Sequence, residues 1–230
     1  MSVAAELHDR VVRHGAVRNR YLERFRRGEI GEQEFDRFAV QFFAFVKNFP
    51  RILATLLANT PEDAAADELA TILVSELGDG DPKRRHEYLY HRFLRSIGID
   101  PQEAARRSWL PSTKAYIEGL AELYGSRDYA RALGASFGLE HMAIPMWDQL
   151  IPGLERLREK RASLAAMDLF YWTFHRDLEQ GHEDAMVRAL DGMKPKEEAS
   201  LERGCLAALD LLEGFWLGLD RPVPLAEPVF

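Results

Sequence analysis

Phenylalanines at positions 35, 38, 42, 45 and 49 recur in alternating steps of three and four. That spacing draws one aromatic stripe along one side of an α-helix and fits no strand. The same helical period runs through almost the whole chain. Residues 4–27 are rich in Ala, Glu, Arg and Leu and stop at Gly28. The Phe helix carries Pro50 inside its pattern, yet Leu53, Leu56 and Leu57 continue it, so a kink is expected rather than an end. Thr60-Pro61-Glu62 reads as the N-cap and first turn of a third helix that reaches Leu77. Gly78-Asp79-Gly80-Asp81-Pro82 is a loop by its turn chemistry. Further helices are expected over about 83–97, after Asp100-Pro101, from Ser112 to Gly125, over 127–160 with Pro145 and Pro152 inside, over 163–191, and over 195–218. Residues 219–230, with Pro222, Pro224 and Pro228, read as an extended tail.

No strand, repeat or linker interrupts this pattern. The expectation is one all-α domain over 1–230, with eight or nine helices and 13 Phe and 4 Trp to fill its core. A net charge of −7 leaves no positive field to collect phosphates, so nucleic acid is not an expected partner. No apolar run is long enough for a membrane span, and the opening residues MSVAAELHDR hold no apolar signal core. A cytoplasmic protein is expected. The single cysteine, Cys205, excludes an intramolecular disulfide and a cysteine-based zinc site, and it reads as a small buried hydrophobe.

In a chain so regularly amphipathic, the informative residues are charged ones on apolar faces. Glu76 shares a face with Leu69, Ile72 and Leu73; its bland explanation is a frayed helix end. Glu140 lies among Leu133, Phe137 and Ile144, with His141 rotated ~100° away. Gly134, Ala135 and Gly138 thin the surface beside it, admitting another helix or a substrate. The bland explanation of Glu140 is a structural carboxylate paired to an arginine. The densest pattern is His175-x3-Glu179-x2-His182, three side chains within a ~60° arc, continued by Tyr171 and Met186. Two imidazoles and a carboxylate on one face match the donor preference of non-haem iron, and di-iron bundles use Glu-x2-His in this way. Either His86 or His91 stands where a short loop would return the chain to Glu76, and spacing alone does not choose between them.

Taken together, Glu76 with the Gly78–Pro82 loop and His86, then Glu140, then His175-x3-Glu179-x2-His182, resemble the six-ligand pattern of the haem-oxygenase-like di-metal oxidases. The wider fold group includes PqqC, TenA and CADD-like proteins. The block Phe42–Arg51 is similar to the Pro-kinked second helix of CADD-like and PqqC-like members, and the resemblance spans about residues 15–215. It implies a haem-oxygenase-like helical bundle. It implies metal ligands Glu76, His86, Glu140, His175, Glu179 and His182, with two Fe(II) per chain, Mn as a substitute, and O2 as co-substrate. Glu140 would bridge the metals; Glu76 and His86 would favour one, and His175, Glu179 and His182 the other. Glu140 and Glu179 are the implied catalytic carboxylates, and the implied partners are a small organic substrate and a second copy of the chain. Many relatives carry Asp where this chain has the longer Glu179.

Three departures narrow the subclass. TenA-type aminohydrolases use a mid-chain Cys, and Cys205 falls too late. CADD-type p-aminobenzoate synthases use tyrosines of the first two helices and a Lys soon after the bridging Glu. Here Phe38, Phe42 and Phe43 occupy the second helix, Tyr21 is an imperfect substitute, and no Lys occurs between His141 and Glu155. Cofactor-free PqqC-type oxidases lack a full ligand set. The alternatives to a di-iron oxidase are such a cofactor-free oxidase, with the same residues as acids and bases, and a haem- or ligand-binding module with His8 or His14 near the haem position. The Phe stripe is expected to be core, Lys47 and Arg51 a solvated face, and Lys83, Arg84 and Arg85 surface charge.

Overall fold

The computed structural model of the chain describes residues 2–221. Among them the elements are ten α-helices, α1 Val3–Val11, α2 Arg20–Arg26, α3 Glu32–Ala58, α4 Asp63–Glu76, α5 His86–Ser96, α6 Pro101–Arg106, α7 Pro111–Tyr124, α8 Tyr129–Lys160, α9 Phe170–Ala189 and α10 Glu198–Leu219, and two short 3-10 turns. The all-helical expectation holds, and no strand occurs among the described residues. One continuous core draws apolar side chains from every helix. The expected tail lies almost wholly outside the described residues, since Leu219 still closes α10 and the description ends at Arg221.

Local chemistry explains where the boundaries differ from the pattern. The run 4–27 is two helices, because Asn19 caps α2: its Oδ1 accepts from the Leu22 N–H at 2.9 Å. Its amide donates back to the Gly15 carbonyl at 2.9 Å, which fixes the turn between the two. Thr60 does not cap α4. Its hydroxyl bonds backward to the Leu56 carbonyl at 2.8 Å, so α4 starts only at Asp63. The run expected from 163 begins at Phe170, whose N–H is taken by the Asp168 carboxylate at 2.9 Å. α3 passes through Pro50 as one helix of 27 residues. Upstream of the proline the Asn48 amide donates to the Ala44 carbonyl at 2.7 Å.

Two close approaches position the polar centre. α8 and α10 meet where a Cβ on Gly134 would strike the Leu201 carbonyl and one on Gly204 would strike the Arg131 carbonyl. Glycine at both places lets the backbones touch. The thinned surface beside Glu140 therefore receives a helix rather than a substrate. The second approach is the end of α4. Gly78 adopts φ 89°, and Asp79 N–H bonds Val74 while Gly78 N–H bonds Ser75. This left-handed stop turns the chain sharply. The Asp81 carboxylate then accepts from the Lys83 N–H at 2.9 Å, and α5 begins at His86 directly beside the last residue of α4, Glu76.

Candidate metal centre

All six residues implied by the resemblance are buried and meet in the middle of the bundle, from α4, α5, α8 and α9. They form two groups: Glu76, His86 and His175, and Glu140, Glu179 and His182. Within each group one donor atom per residue lies within 4.8 Å of the others. In the first, His86 Nδ1 lies 2.6 Å from Glu76 Oε2 and His175 Nε2 lies 3.5 Å from Glu76 Oε1. In the second, His182 Nδ1 lies 3.3 Å from Glu140 Oε2 and 3.7 Å from Glu179 Oε2.

His175 stands between the two groups. Its Nε2 lies 3.5 Å from Glu76 Oε1 and 3.5 Å from Glu179 Oε1, and its ring lies 4.1 Å from that of His86. The resemblance places it with Glu179 and His182, whereas the donor atoms also gather it with Glu76 and His86. His86, rather than His91, lies beside Glu76. His91 is partly exposed and packs on Phe43 at 5.2 Å, away from both groups. His141 lies outside the groups as well, stacked on Phe137 at 3.7 Å. Burial, then the nearby His8, pushes its imidazole down to about 3.

The bland explanations of the carboxylates do not hold. Glu76 is 5% exposed, so it is no frayed end. The ion pairs of Glu76, Glu140 and Glu179 run to histidines, not to arginine or lysine. Three buried carboxylates without a permanent cation are costly. Burial works against the Glu76 charge, yet His86 and His175 hold its carboxyl well below the usual carboxylate range. Burial and the charge on Glu140 lift the Glu179 carboxyl well above it, although His182 pulls the other way. Burial opposes charge on His182, but hydrogen bonding to Glu140 and the charges of Glu140 and Glu179 carry its imidazole up to about 10. Burial and the adjacent His86 take the His175 imidazole down to about 4.

Among the buried atoms without a hydrogen-bond partner are Glu140 Oε1 and Glu179 Oε2, both in the second group. With the imidazole nitrogens that face the three carboxylates, they fit two divalent ions such as Fe(II) or Mn(II). A third cluster, His14, Asp210 and Glu213, does not fit in the same way. His14 Nδ1 accepts from the Ala16 N–H at 3.1 Å, so the neutral ring carries its proton on Nε2, facing Asp210 at 3.3 Å.

Two supporting residues escaped the sequence reading. Trp147 donates its indole N–H to Glu179 Oε1 at 3.0 Å. It lies seven residues after Glu140, on the same helix face, which was the available signal. The Ser75 hydroxyl lies 3.1 Å from His182 Nε2, and nothing in the spacing marks it. A cavity of about 30 Å³ adjoins the centre, walled by Phe45, Phe49, Met142, Met146, Trp147 and Tyr171. Phe45 and Phe49 of the expected core stripe thus also face the site, while Lys47 and Arg51 are exposed, as expected of a solvated face. Tyr21 is buried and stacks on Trp216 at 5.7 Å. Cys205 is buried with its thiol pushed up to about 12, first by burial.

These features agree with the comparisons. Residues 36–213 match the family model described as iron-containing redox enzyme, and the chain belongs to that family. It is 26% identical over 222 residues to a 4-chloro-allylglycine synthase of Streptantibioticus cattleyicolor, covering 95% of this chain and 82% of that one. It is 23% identical over 215 residues to a 4-aminobenzoate synthase of Chlamydia pneumoniae, covering 92% and 91%. In structure it is similar to a CADD-like protein of unknown function from Nostoc punctiforme, with TM-score 0.79, 16% identity and 94% and 95% of the chains covered. It is also similar to a domain with a heme oxygenase-like fold from Shewanella denitrificans, with TM-score 0.68, 14% identity and 94% and 88% of the chains covered. No helix among the described residues is long and apolar enough to cross a membrane.

Proposed function

We propose that this protein is a non-haem di-iron oxidase or oxygenase that uses O2 to oxidise a small organic substrate, amino-acid-, amine- or fatty-acid-like. The single observation that carries the reading is the pair of buried His/carboxylate groups with no lysine or arginine among their ion partners. Glu76, His86 and His175 would hold one ion, and Glu140, Glu179 and His182 the other. Glu140 keeps a free buried oxygen, Oε1, as the bridging role needs. The two ferrous ions would supply the electrons that O2 chemistry requires.

The chain's own residues do the rest. The phenylalanine, methionine and tryptophan walls give the centre a largely apolar surround, which strengthens the charge interactions within it. Filling the second group requires His182 to give up the proton that Glu140 and Glu179 hold on it, so metal uptake releases a proton there. Phe38, Phe42 and Phe43 in the second helix, where a CADD-type synthase uses tyrosine, weigh against the activity named for the Chlamydia relative.

Metal analysis of protein made in iron-rich medium tests the reading. About two irons per chain are expected in the wild type, one or fewer in Glu140→Ala, and both in His141→Ala. Full retention by Glu140→Ala would remove Glu140 from the centre. Oxidation of substrate by metal-free protein would move the reading to acid–base catalysis.

A further inference from the structure

We propose that Trp147 is a positioning residue that makes Glu179 a one-oxygen ligand through Oε2. The inference rests on the di-metal reading above and goes beyond it, because the ligand set does not say how each carboxylate is oriented.

The indole N–H of Trp147 donates to Glu179 Oε1 at 3.0 Å, and both residues are 2% exposed. Glu179 Oε2 has no hydrogen-bond partner and lies 3.7 Å from His182 Nδ1, inside the second group. The carboxylate is therefore sorted: Oε1 is tied to the indole and lies 3.5 Å from His175 Nε2 of the first group, and Oε2 is presented to the second group's ion. A buried hydrogen bond is costly to leave unmade, because neither partner can turn to water. Trp147 has no freedom to abandon it. Its ring packs edge-on against Phe42 at 6.0 Å, Tyr171 at 6.2 Å and Trp172 at 5.7 Å.

The same bond accounts for the length of the side chain. The Glu179 carboxylate sits on α9 and must reach both an indole on α8 and its own ligand group. Aspartate at this position is one methylene shorter and does not span both. Glutamate at 179 and tryptophan at 147 form a matched pair, and the function of the pair is to stop the carboxylate from chelating with both oxygens. A chelating carboxylate would occupy one more coordination position on the ion.

Four proteins test this: wild type, Trp147→Phe, Glu179→Asp and the double variant. In metal-free protein, the indole ¹⁵N–¹H resonance absent from Trp147→Phe identifies Trp147. That resonance is expected to move upfield in Glu179→Asp. Glu179→Gln, which keeps the size and weakens the acceptor, is expected to move it in the same direction if the aspartate variant does not fold. An unmoved resonance overturns the proposal. Anaerobic Co(II) titration reads the ligand. Trp147→Phe is expected to weaken one of two Co(II) ions by about 10- to 100-fold. It is also expected to lower the visible Co(II) absorbance, because freed Oε1 raises the coordination number. In the Glu179→Asp background the same substitution is expected to change affinity by less than about twofold, since the two residues act as one unit. Equal losses in both backgrounds, with no spectral change, would mean that Trp147 only packs, and the positioning role falls while the di-metal reading stands. A wild type that takes up no Co(II) would overturn both.

Discussion

The Glu76–His86–His175 group carries one carboxylate and two imidazoles, whereas the Glu140–Glu179–His182 group carries two carboxylates and one imidazole. The first satisfies its carboxylate from within. Its Glu76 carboxylate is fully engaged by His86 at 2.6 Å and His175 at 3.5 Å. The second has one imidazole for two carboxylates, and it is there that the protein adds outside partners, the Trp147 indole N–H on Glu179 and the Ser75 hydroxyl beside His182 Nε2. The ratio of imidazoles to carboxylates thus decides where supporting residues are needed. A carboxylate with two ring partners is held by its own group. A group that awaits a cation needs neighbours to aim its donors meanwhile.

The largest effect expected from this contrast is in the first group without metal. His86→Ala leaves Glu76 buried with half its partners gone, and breaking a buried pair by removing one member costs about 3–5 kcal/mol. Urea denaturation of metal-free protein should show that loss, while His91→Ala should change stability by less than about 1 kcal/mol as a half-exposed neighbour. Equal losses would erase the distinction between the two histidines.

Metal comes next, and it acts on α9, which serves both groups. At free Fe(II) 100 to 1,000 times its dissociation constant, binding stabilises the folded form by about 2.7–4.1 kcal/mol. Anaerobic Fe(II) should therefore slow hydrogen exchange of residues 170–186 more than that of the Phe helix α3. His182→Ala should remove most of the added protection, and Asp177→Asn should not. Equal exchange with and without iron would show a preformed centre.

A smaller loss is expected at the seam that carries Glu140. Gly134→Ala places a methyl group against the Leu201 carbonyl, and such overpacking costs about 1–3 kcal/mol. If the seam positions the second group alone, this variant should weaken one metal and leave the other. Loss of both by equal factors would show that the groups are mechanically coupled.

The smallest effect lies outside both groups. Burial raises Cys205 to about 12 and raises the phenols of Tyr90 and Tyr124 well above their usual value. Each group keeps its proton longer in the folded state than in the unfolded one. Its contribution is fully present below the unfolded value and is lost as pH rises toward the folded one. The raised His182 adds a loss that starts above about pH 6.5, so metal-free stability should fall slowly from pH 7 to 8 and more steeply above about pH 9. A rise in that range would contradict the sign.

Much of the centre was legible because it obeys helical periodicity. Glu76, Glu140, His175, Glu179 and His182 each stand where the pattern asks for a hydrophobe, and their burial follows from that position. Periodicity names a face but not what the face meets. The place of His175 between the two groups, the choice of His86 over His91, and the roles of Trp147 and Ser75 all depend on how α4, α5, α8 and α9 are rotated and shifted against one another. The helical class, the core stripe and five of the six polar candidates were determined by residue type and spacing alone, since amphipathic period and the cost of burying charge are local properties. The division of those six into two groups was decided only in the tertiary structure. Glycine contacts between α8 and α10 and the left-handed turn at Gly78 set the helix positions, and a shift of one helical turn moves a side chain by about 5.4 Å, more than the reach of any hydrogen bond.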